Sequence, residues 1–346
     1  MSVRSEILEQ PEAARRQLGS SQAAIAALVE RLRARPVHNV VIAARGTSDH
    51  AAIYGQYLLG VRNALSVGLA TPSVVSLYRA DPDVKGSLVI GISQSGESPD
   101  IVGVVAAASR QGTPTLAITN TPGGHLASAA EFVIDLAAGP ELAVAATKTY
   151  TTSLLALARL SAALGDESPS ALAALPDAIA AALELEPAVE AIVGELTSGS
   201  TDVDRCVIVG RGFEYATARE WALKLKELAR VFADPYSAAD FLHGPIAIVQ
   251  PGIPVLVLAP EGAAAEGQIE LLRDLHARGV DTVVASEVAS IRALGRWSIA
   301  LPTGIPEHLR PIVSIVPAQL FAYHLTLARG LDPEEPRYIS KVTRTT

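Results

Sequence analysis

The stretch NVVIAARG, residues 39–46, returns in a related form as RCVIVGRG at 205–212. Each is an apolar, β-branched run that ends in Arg-Gly and precedes a helix-like stretch, which is typical of a buried parallel strand. Three more pairs of runs keep nearly the same offset: 86–95 and 253–262, 112–119 and 279–286, 132–139 and 297–304. Strands alternating with helices predict βαβ units, so the repeat predicts two copies of one doubly wound α/β domain. A chance alignment of apolar strands is the alternative.

The repeat also sets the predicted domain boundaries. The N-terminal arm ends in an amphipathic helix for which Ser21 is the expected N-cap and Pro36 the stop. The predicted segments are an arm and helix at 1–36, a first sheet domain at 37–164, a helical linker at 165–198, a second sheet domain at 199–335 and a tail at 336–346. Ligands of such sheets bind at the carboxyl ends of the strands, so the loops after the strands are the places for a site.

The composition excludes several classes of protein. Of 346 residues, 49% are hydrophobic and 18% charged, with a net charge of −8, which gives no electrostatic footprint for nucleic acid. The apolar tract 171–193 is interrupted by carboxylates and prolines, and the N-terminus lacks a signal-peptide core, so we expect no membrane partner and a cytoplasmic location. The single cysteine, Cys206, excludes an internal disulfide, and the seven histidines lack metal-ligand spacing.

The segment ISQSGESPD, residues 92–100, follows a predicted strand and leads into a predicted helix. Ser98 and Pro99 suit the N-cap and first turn of that helix, and Gly96 permits a turn that points successive N–H groups inward. Together with the serine hydroxyls, these groups predict a cradle for a phosphate. An ordinary capped turn is the alternative, and it explains Ser98 and Pro99 equally well. It does not require the polar side chains Ser93, Gln94 and Ser95.

A second hydroxyl-rich loop follows the first strand, where Gly46, Thr47 and Ser48 precede another predicted helix. We expect one ligand to contact both loops. The equivalent loops of the second repeat lack these hydroxyl pairs. A nucleotide site is disfavoured, because Tyr215 stands where the dinucleotide fingerprint needs its third glycine and the chain contains no GKS or GKT.

Two candidate acid–base groups lie in the second repeat. Glu220, Lys224 and Glu227 recur at i, i+4 and i+7 and therefore share one helix face, although a solvated, salt-bridged stripe is the usual reason for such a pattern. His243 precedes Gly244 and Pro245 in a rigid turn. A histidine in such a turn more often has a structural role than a catalytic one.

Six spaced motifs together resemble the sugar isomerase (SIS) family, and most of all the isomerase half of glutamine:fructose-6-phosphate amidotransferase. The motifs are ARGTS, ISQSGES, AVAATKTYTTSL, GRG, ALKLKE and LHGP. The segment that follows them, AQLFAYHLTLARGLDPEEPRYISKVT at 318–343, resembles the family's C-terminal tail. The resemblance covers nearly the whole chain. It implies two tandem doubly wound, flavodoxin-like SIS domains with an N-terminal helix and a C-terminal tail over the active site.

The resemblance also implies roles for individual residues. Glu227 would move a proton between C1 and C2 of the sugar with Lys224 beside it, His243 would open the pyranose ring, and Lys341 would close over the sugar. The residues that would bind the phosphate and the sugar are Gly46, Thr47, Ser48, Ser93, Gln94, Ser95, Ser98, Val144 and Ala146. In this family the histidine tends to reach across a dimer interface, so a homodimer with a shared active site is implied. Aldose–ketose interconversion needs no metal and no organic cofactor.

The chain departs from the family pattern in places that bear on the substrate. Ala146 stands where the family often has serine, and Asp240 replaces a longer carboxylate before LHGP. The 346 residues contain no glutaminase domain, so we expect the chain not to draw ammonia from glutamine.

The expected reaction is therefore glucosamine 6-phosphate plus water to fructose 6-phosphate plus ammonia. Alternatives are isomerisation, deglycation or dehydration of another amino-sugar or N-acetylhexosamine 6-phosphate, and a non-catalytic sugar-phosphate sensor.

Overall fold

The computed structural model describes residues 2–165, 170–199 and 204–341. These residues form two compact units, each built around its own sheet. The N-unit comprises the described residues of 9–142 and 148–176, which are 9–142, 148–165 and 170–176, with the tail residues 340 and 341. The C-unit comprises residues 2–8, 143–147, 177–199 and 204–339. The chain therefore leaves the N-unit for five residues at 143–147. The five segment boundaries derived from the sequence repeat remain a prediction.

Ten strands form the two sheets. They are β1 Asn39–Ala43, β2 Ser66–Leu69, β3 Ser87–Ser93, β4 Thr115–Thr119, β5 Phe132–Asp135, β6 Arg205–Gly210, β7 Phe232–Ser237, β8 Val255–Leu258, β9 Thr282–Ser286 and β10 Trp297–Ala300. The N-unit sheet has the order β2-β1-β3-β4-β5 and the C-unit sheet the order β10-β9-β8-β6-β7, with every pair parallel. Each is the flavodoxin-like order 2-1-3-4-5, which confirms the predicted doubly wound fold and its internal repeat.

The described residues also form sixteen α-helices and two 3-10 helices. The α-helices are α1 Val3–Leu8, α2 Gln10–Gly19, α3 Gln22–Ala34, α4 Thr47–Asn63, α5 Pro72–Ser76, α6 Pro99–Arg110, α7 His125–Ala129, α8 Lys148–Leu164, α9 Ser170–Ala173, α10 Leu175–Leu183, α11 Glu186–Ser198, α12 Glu214–Glu227, α13 Ala238–Leu242, α14 Ala265–Ala277, α15 Ala289–Arg292 and α16 Pro311–Ala328. The 3-10 helices are Pro245–Ile248 and Glu307–Leu309.

The sequence pattern missed one strand in each sheet, β2 and β7. Both are edge strands, as β5 and β10 are, but the sequences SVGL and FADPYS contain few buried apolar residues, so their apolar signal is weak. β7 contains Pro235, which an edge strand tolerates but a central strand does not. The first residues of β2 and β7, Ser66 and Phe232, keep the offset of the other pairs, so the repeat includes the edge strands as well.

The N-terminal segment contains two helices, α1 and α2, in addition to the predicted helix α3. Ser21 occupies the N-cap position of α3, but its hydroxyl makes no capping bond and accepts a hydrogen bond from the Asp135 N–H at 2.9 Å. Arg159 of α8 donates to the carbonyls of Gln17 and Ser20 at 2.5 and 2.7 Å. These contacts fasten α2 and α3 to the rest of the N-unit.

The apolar segment that best matches a membrane span is α16 rather than the tract at 171–193. By length and composition it is the one helix, among the described residues, that could cross a membrane, and 83% of it is buried inside the protein. Within the C-unit, α16 packs on α12 through an edge-to-face contact of Phe321 with Trp221, whose ring centroids are 5.3 Å apart. This degree of burial is typical of the core helix of a globular protein.

Cys206 lies on β6 with 6% of its surface exposed, and burial raises the pKa of its thiol to about 12. The predicted buried strand thiol is confirmed. Because the thiolate is the reactive form, we expect Cys206 of the folded protein to resist a disulfide reagent at pH 8 and to react at once in denaturant. A thiol titration in both conditions measures this, and rapid modification of the folded protein would contradict it.

Glu214 begins α12 and is buried, and its carboxylate accepts hydrogen bonds from the Ser314 hydroxyl at 2.7 and 2.9 Å. Burial raises the pKa of Glu214 from its ordinary 4.5 to about 7, against the opposing effect of Ser314. The folded state therefore retains a proton that the unfolded state loses, so this contribution to stability is complete below pH 4.5 and disappears as the pH rises through about 7.

The contribution amounts to about 3 kcal/mol, at 1.36 kcal/mol per pKa unit. Urea unfolding between pH 4.5 and 8 should show the free energy of unfolding of wild type falling relative to that of Glu214→Gln by about this amount. Parallel pH profiles for the two proteins would contradict the assignment.

Candidate active site

The two hydroxyl-rich loops lie together at the carboxyl edge of the N-unit sheet. β1 and β3 are neighbours, with β1↔β3 pairing from Asn39↔Ser87 to Ala43↔Gly91, and the direction of strand order reverses between them. A crevice forms at such a switch point, and ligands of doubly wound folds bind there. Gly46 follows β1 and is succeeded by Thr47 and Ser48 at the start of α4, and β3 ends at Ser93. The structure therefore brings together the residues predicted to contact one phosphate.

The loop after β3 turns its carbonyl groups toward β4 and α7. The carbonyl oxygens of Gln94, Ser95 and Gly96 accept hydrogen bonds from Asn120 N at 3.2 Å, Thr121 Oγ1 at 2.7 Å and Leu126 N at 3.0 Å respectively. Because these three successive carbonyls are engaged with neighbouring segments, the loop is held in one backbone conformation. Gly96 has φ +65°, the left-handed conformation that this turn requires.

The serine hydroxyls support the same loop. Ser93 Oγ accepts a hydrogen bond from Gly96 N at 3.2 Å, and Ser95 Oγ accepts one from Glu97 N at 3.3 Å. Ser98 is the N-cap residue of α6 and Pro99 its first residue, as predicted, but the Ser98 side chain makes no capping bond. Side-chain capping therefore does not account for Ser98, and its hydroxyl group lies at the start of a twelve-residue helix.

The loop after β1 is built similarly. Gly46 is the N-cap residue of α4 with φ +55°, and Thr47 and Ser48 form the first turn of that helix. The Ser48 N–H donates to the Arg45 carbonyl at 3.1 Å. Two helices, α4 and α6, therefore begin at this crevice, and the positive ends of their dipoles favour a bound anion.

The C-unit holds a buried charged triplet on α12. Lys224 Nζ lies 2.5 Å from Glu227 Oε2 and 3.3 Å from Glu220 Oε1. The side chains of Lys224 and Glu220 are 1% and 0% exposed, and that of Glu227 is 23% exposed. The interpretation of these charges as a solvated stripe is therefore wrong, because two of the three side chains are removed from water.

Burial by itself disfavours the charge on Lys224, but the carboxylates of Glu220 and Glu227 outweigh burial and raise the pKa of the ammonium group. Lys224 is therefore held as a cation whose proton points at Glu227. Glu227 is the last residue of α12 and the member of the triplet that reaches solvent. This arrangement can hold one oriented carboxylate at the surface, as a general base requires.

Glu220 was part of the predicted helix face but was not among the predicted site residues. Its i, i+4 spacing to Lys224 was visible in the sequence, whereas its complete burial was not.

His243 lies in the C-unit at the C-terminal end of α13, and its N–H donates to the Asp240 carbonyl at 3.1 Å. The following residue, Gly244, has φ +140°, and a 3-10 helix begins at Pro245. The predicted rigid turn is present, and it leaves the His243 side chain exposed. In the described part of the chain no hydrogen bond or ion pair is found between His243 and Glu227.

The segment 143–147, predicted to face the sugar, belongs to the C-unit. Ala143 and Ala145 are 5% and 1% exposed, while Val144 and Ala146 are partly exposed. This alternation directs Val144 and Ala146 away from the core, so both side chains are available for a ligand.

Lys341 lies in the N-unit, where Nζ donates to Glu141 Oε2 at 2.8 Å. The Glu141 side chain is fully buried and also accepts hydrogen bonds from the Thr149 N–H and hydroxyl at 3.1 and 2.8 Å. The sequence pattern did not point to Glu141. The predicted site residues are thus divided between the units: the phosphate loops and Lys341 are in the N-unit, and Lys224, Glu227, His243, Val144 and Ala146 are in the C-unit.

Comparisons with known proteins agree with this architecture. The model of the SIS domain matches the chain twice, at residues 35–163 and 201–329. The glutamine–fructose-6-phosphate aminotransferase [isomerizing] of Pyrococcus horikoshii is 34% identical over 343 residues, which cover 97% of this chain and 56% of the relative. The chain thus spans little more than half the length of that relative.

Two solved structures are similar over nearly the whole chain. A provisionally assigned phosphosugar isomerase from Silicibacter pomeroyi has a TM-score of 0.85 and 34% identity, covering 96% of this chain and all of that one. The C-terminal domain of glucosamine-fructose-6-phosphate aminotransferase from Francisella tularensis has a TM-score of 0.85 and 26% identity, covering 96% of each chain. The predicted resemblance is confirmed, and the chain belongs to the SIS domain family.

Proposed function

We propose that this protein is a phosphosugar aldose–ketose isomerase that converts glucosamine 6-phosphate and water into fructose 6-phosphate and ammonia. The observation that carries the proposal is the α12 triplet, in which the buried cation Lys224 holds the partly exposed carboxylate of Glu227 at 2.5 Å. A carboxylate held in this way suits proton transfer at a carbon next to a carbonyl.

In the proposed reaction the cradle of the N-unit binds the phosphate, and His243 assists opening of the pyranose ring. Glu227 removes the C2 proton of the open-chain aldehyde and delivers a proton, in part exchanged with solvent, to C1. A second proton passes from the amine nitrogen to O1, which leaves an imine at C2. Water adds to this imine, and ammonia departs with formation of the C2 ketone. No electrons are gained or lost overall.

The names of the relatives support an amino sugar phosphate as the substrate. The Pyrococcus horikoshii protein is named for fructose 6-phosphate and for amino transfer, the two features that glucosamine 6-phosphate combines. The phosphosugar isomerase from Silicibacter pomeroyi supports the same type of reaction over the whole chain. A cytoplasmic homodimer remains part of the proposal, and the exposed His243 is suited to act on the site of a second copy.

A second substrate class is favoured by one residue. Ala146 cannot donate the hydrogen bond that a serine would give to a sugar hydroxyl, and its small side chain leaves room for a larger N-substituent. With an N-acetyl group at C2 deamination is blocked, and the same proton abstraction would lead to epimerisation or dehydration. Burying charged groups carries a desolvation cost, and binding of a sugar phosphate by a sensor does not require the α12 triplet. The triplet therefore favours an enzyme over a sensor.

The experiment is a substrate comparison. Glucosamine 6-phosphate, galactosamine 6-phosphate and N-acetylglucosamine 6-phosphate are incubated separately with the protein, and ammonia and ketose are measured. We expect ammonia and ketose in equal amounts from glucosamine 6-phosphate. No ammonia from either free amino sugar would defeat the deaminase proposal, and conversion of the N-acetyl sugar alone would establish the alternative.

A further inference from the structure

We propose that Arg45 is a positioning residue for the phosphate cradle, which acts by neutralising the buried carboxylate of Asp100. The inference rests on the proposed function, because it concerns how the same site accepts the phosphate of a sugar. The sequence patterns assign the cradle to hydroxyls and backbone N–H groups, and they do not predict a side-chain pair between the two loops.

The two side chains form a short ion pair between the two phosphate loops. Arg45 Nε lies 2.8 Å from Asp100 Oδ2, and the other carboxylate oxygen, Oδ1, accepts the Ile101 N–H at 3.0 Å. Arg45 directly precedes Gly46 in the loop after β1, and Asp100 lies in the first turn of α6, after the loop that follows β3. The pair therefore joins the two halves of the crevice.

Asp100 creates an electrostatic problem for an anion site. Its side chain is 1% exposed, so water screens its charge poorly, and it lies at the helix end where the phosphate is proposed to bind. A carboxylate and a phosphate dianion at one helix N-terminus compete for the same dipole and repel each other. With Asp100 uncompensated, the cradle would disfavour the anion that it is built to hold.

Arg45 supplies a positive charge that compensates the negative charge of Asp100. The Arg45 side chain is 48% exposed, so its guanidinium carries the compensating charge with less desolvation than a buried cation. Glu97, a carboxylate of the loop itself, lies 2.7 Å from His125 Nδ1 through its Oε2, and the His125 and Glu97 side chains are 76% and 36% exposed. The buried Asp100 is therefore the carboxylate that a fixed cation has to compensate.

The test uses the open-chain alcohol of glucosamine 6-phosphate, which lacks the C1 carbonyl and cannot react. Its dissociation constant is measured by calorimetry for wild type, Arg45→Ala, Arg45→Lys, Asp100→Asn and the double variant Arg45→Ala/Asp100→Asn. KM and kcat for glucosamine 6-phosphate are measured alongside, and circular dichroism shows whether each variant is folded. Arg110→Ala is the control, because Arg110 pairs with Asp81 at the other end of α6 with both side chains more than half exposed.

Arg45→Ala should weaken binding at least about tenfold and raise KM with little change in kcat, since the chemistry is assigned to another group. Asp100→Asn should bind within about threefold of wild type, and it should restore the affinity of Arg45→Ala to that level in the double variant. Arg45→Lys should retain most of the affinity, and Arg110→Ala all of it. A residue with a merely structural role would not be rescued by removing the carboxylate.

The outcomes separate the two proposals. Binding by wild type with equal binding by Arg45→Ala overturns the inference alone. A folded double variant that binds as weakly as Arg45→Ala also overturns it, because neutralisation would then not be the role of Arg45. Failure of wild type to bind the alcohol overturns the proposed function and the inference together. If Arg45→Ala does not fold, Arg45→Lys and the double variant decide the question.

Discussion

Replacement of Glu227 by glutamine is expected to abolish ammonia and ketose formation, with a loss in kcat of about 10²- to 10⁴-fold. Glutamine has nearly the same shape as glutamate. It can still accept a hydrogen bond from Lys224, whose Nζ lies 2.5 Å from Oε2 of Glu227 in the wild-type protein, but it cannot take a proton from C2. The phosphate cradle belongs to the N-unit, so the dissociation constant for a sugar phosphate should stay within about tenfold of wild type. Steady-state kinetics and calorimetry measure the two effects.

Glu270→Gln provides the matched control, because Glu270 is an exposed residue of α14 to which no role is assigned. It should leave kcat and KM unchanged. Wild-type turnover by Glu227→Gln would show that Glu227 is not the base. Loss of sugar-phosphate binding by a folded Glu227→Gln protein would show that Glu227 contributes to substrate binding.

Gly96→Val is expected to destroy the phosphate cradle. A Cβ atom at this position would lie 2.6 Å from Thr121 Oγ1 and 3.1 Å from Thr119 Oγ1, and the backbone has a φ of +65° that valine rarely adopts. Thr121 is fixed by its own hydrogen bond to the Ser95 carbonyl, so relief of the clash requires movement of the loop itself. Loss of two or more amide contacts to a phosphate should weaken binding about 10²-fold or more.

Gly112→Val separates the clash from the backbone strain. Gly112 has φ +71°, and nothing lies within 4 Å of the Cβ position, so this variant carries the strain without the steric conflict. Calorimetry should show lost binding for Gly96→Val and wild-type binding for Gly112→Val, with both proteins folded by circular dichroism. Tight binding by Gly96→Val would mean that the loop after β3 does not hold the phosphate.

Most of the fold could be predicted because parallel central strands are continuous apolar runs that a repeat makes visible twice. NVVIAARG and RCVIVGRG set the offset of the repeat, and four strands of each sheet were found in this way. The edge strands β2 and β7 escaped because partial burial and Pro235 remove that signal. The two extra N-terminal helices escaped because α1 is only six residues long and α2 has a glutamate rather than a capping residue before it.

The parts of the candidate site that lie within one short motif could be predicted from the sequence. ISQSGES combines a strand end, a glycine turn and a helix start within a few residues, so its backbone geometry follows from short-range rules. Pairings between distant segments could not be predicted, as the ion pairs of Arg45 with Asp100 and of Lys341 with Glu141 show. The burial of Glu220 and Lys224 also depends on packing within the C-unit, which spacing along one helix does not reveal.

The account depends above all on proton transfer between C1 and C2 of a bound sugar phosphate, and proton NMR in deuterated water measures this transfer directly. Glucosamine 6-phosphate is incubated with wild type and with Glu227→Gln, and deuterium is followed at C2 of the recovered substrate and at C1 of the ketose. We predict deuterium at C1 of fructose 6-phosphate with wild type and no exchange with Glu227→Gln. If wild type binds the sugar phosphate but forms no ketose and exchanges no carbon-bound proton on this sugar or on its galactosamine and N-acetyl analogues, the protein is a sugar-phosphate binder and the account is wrong.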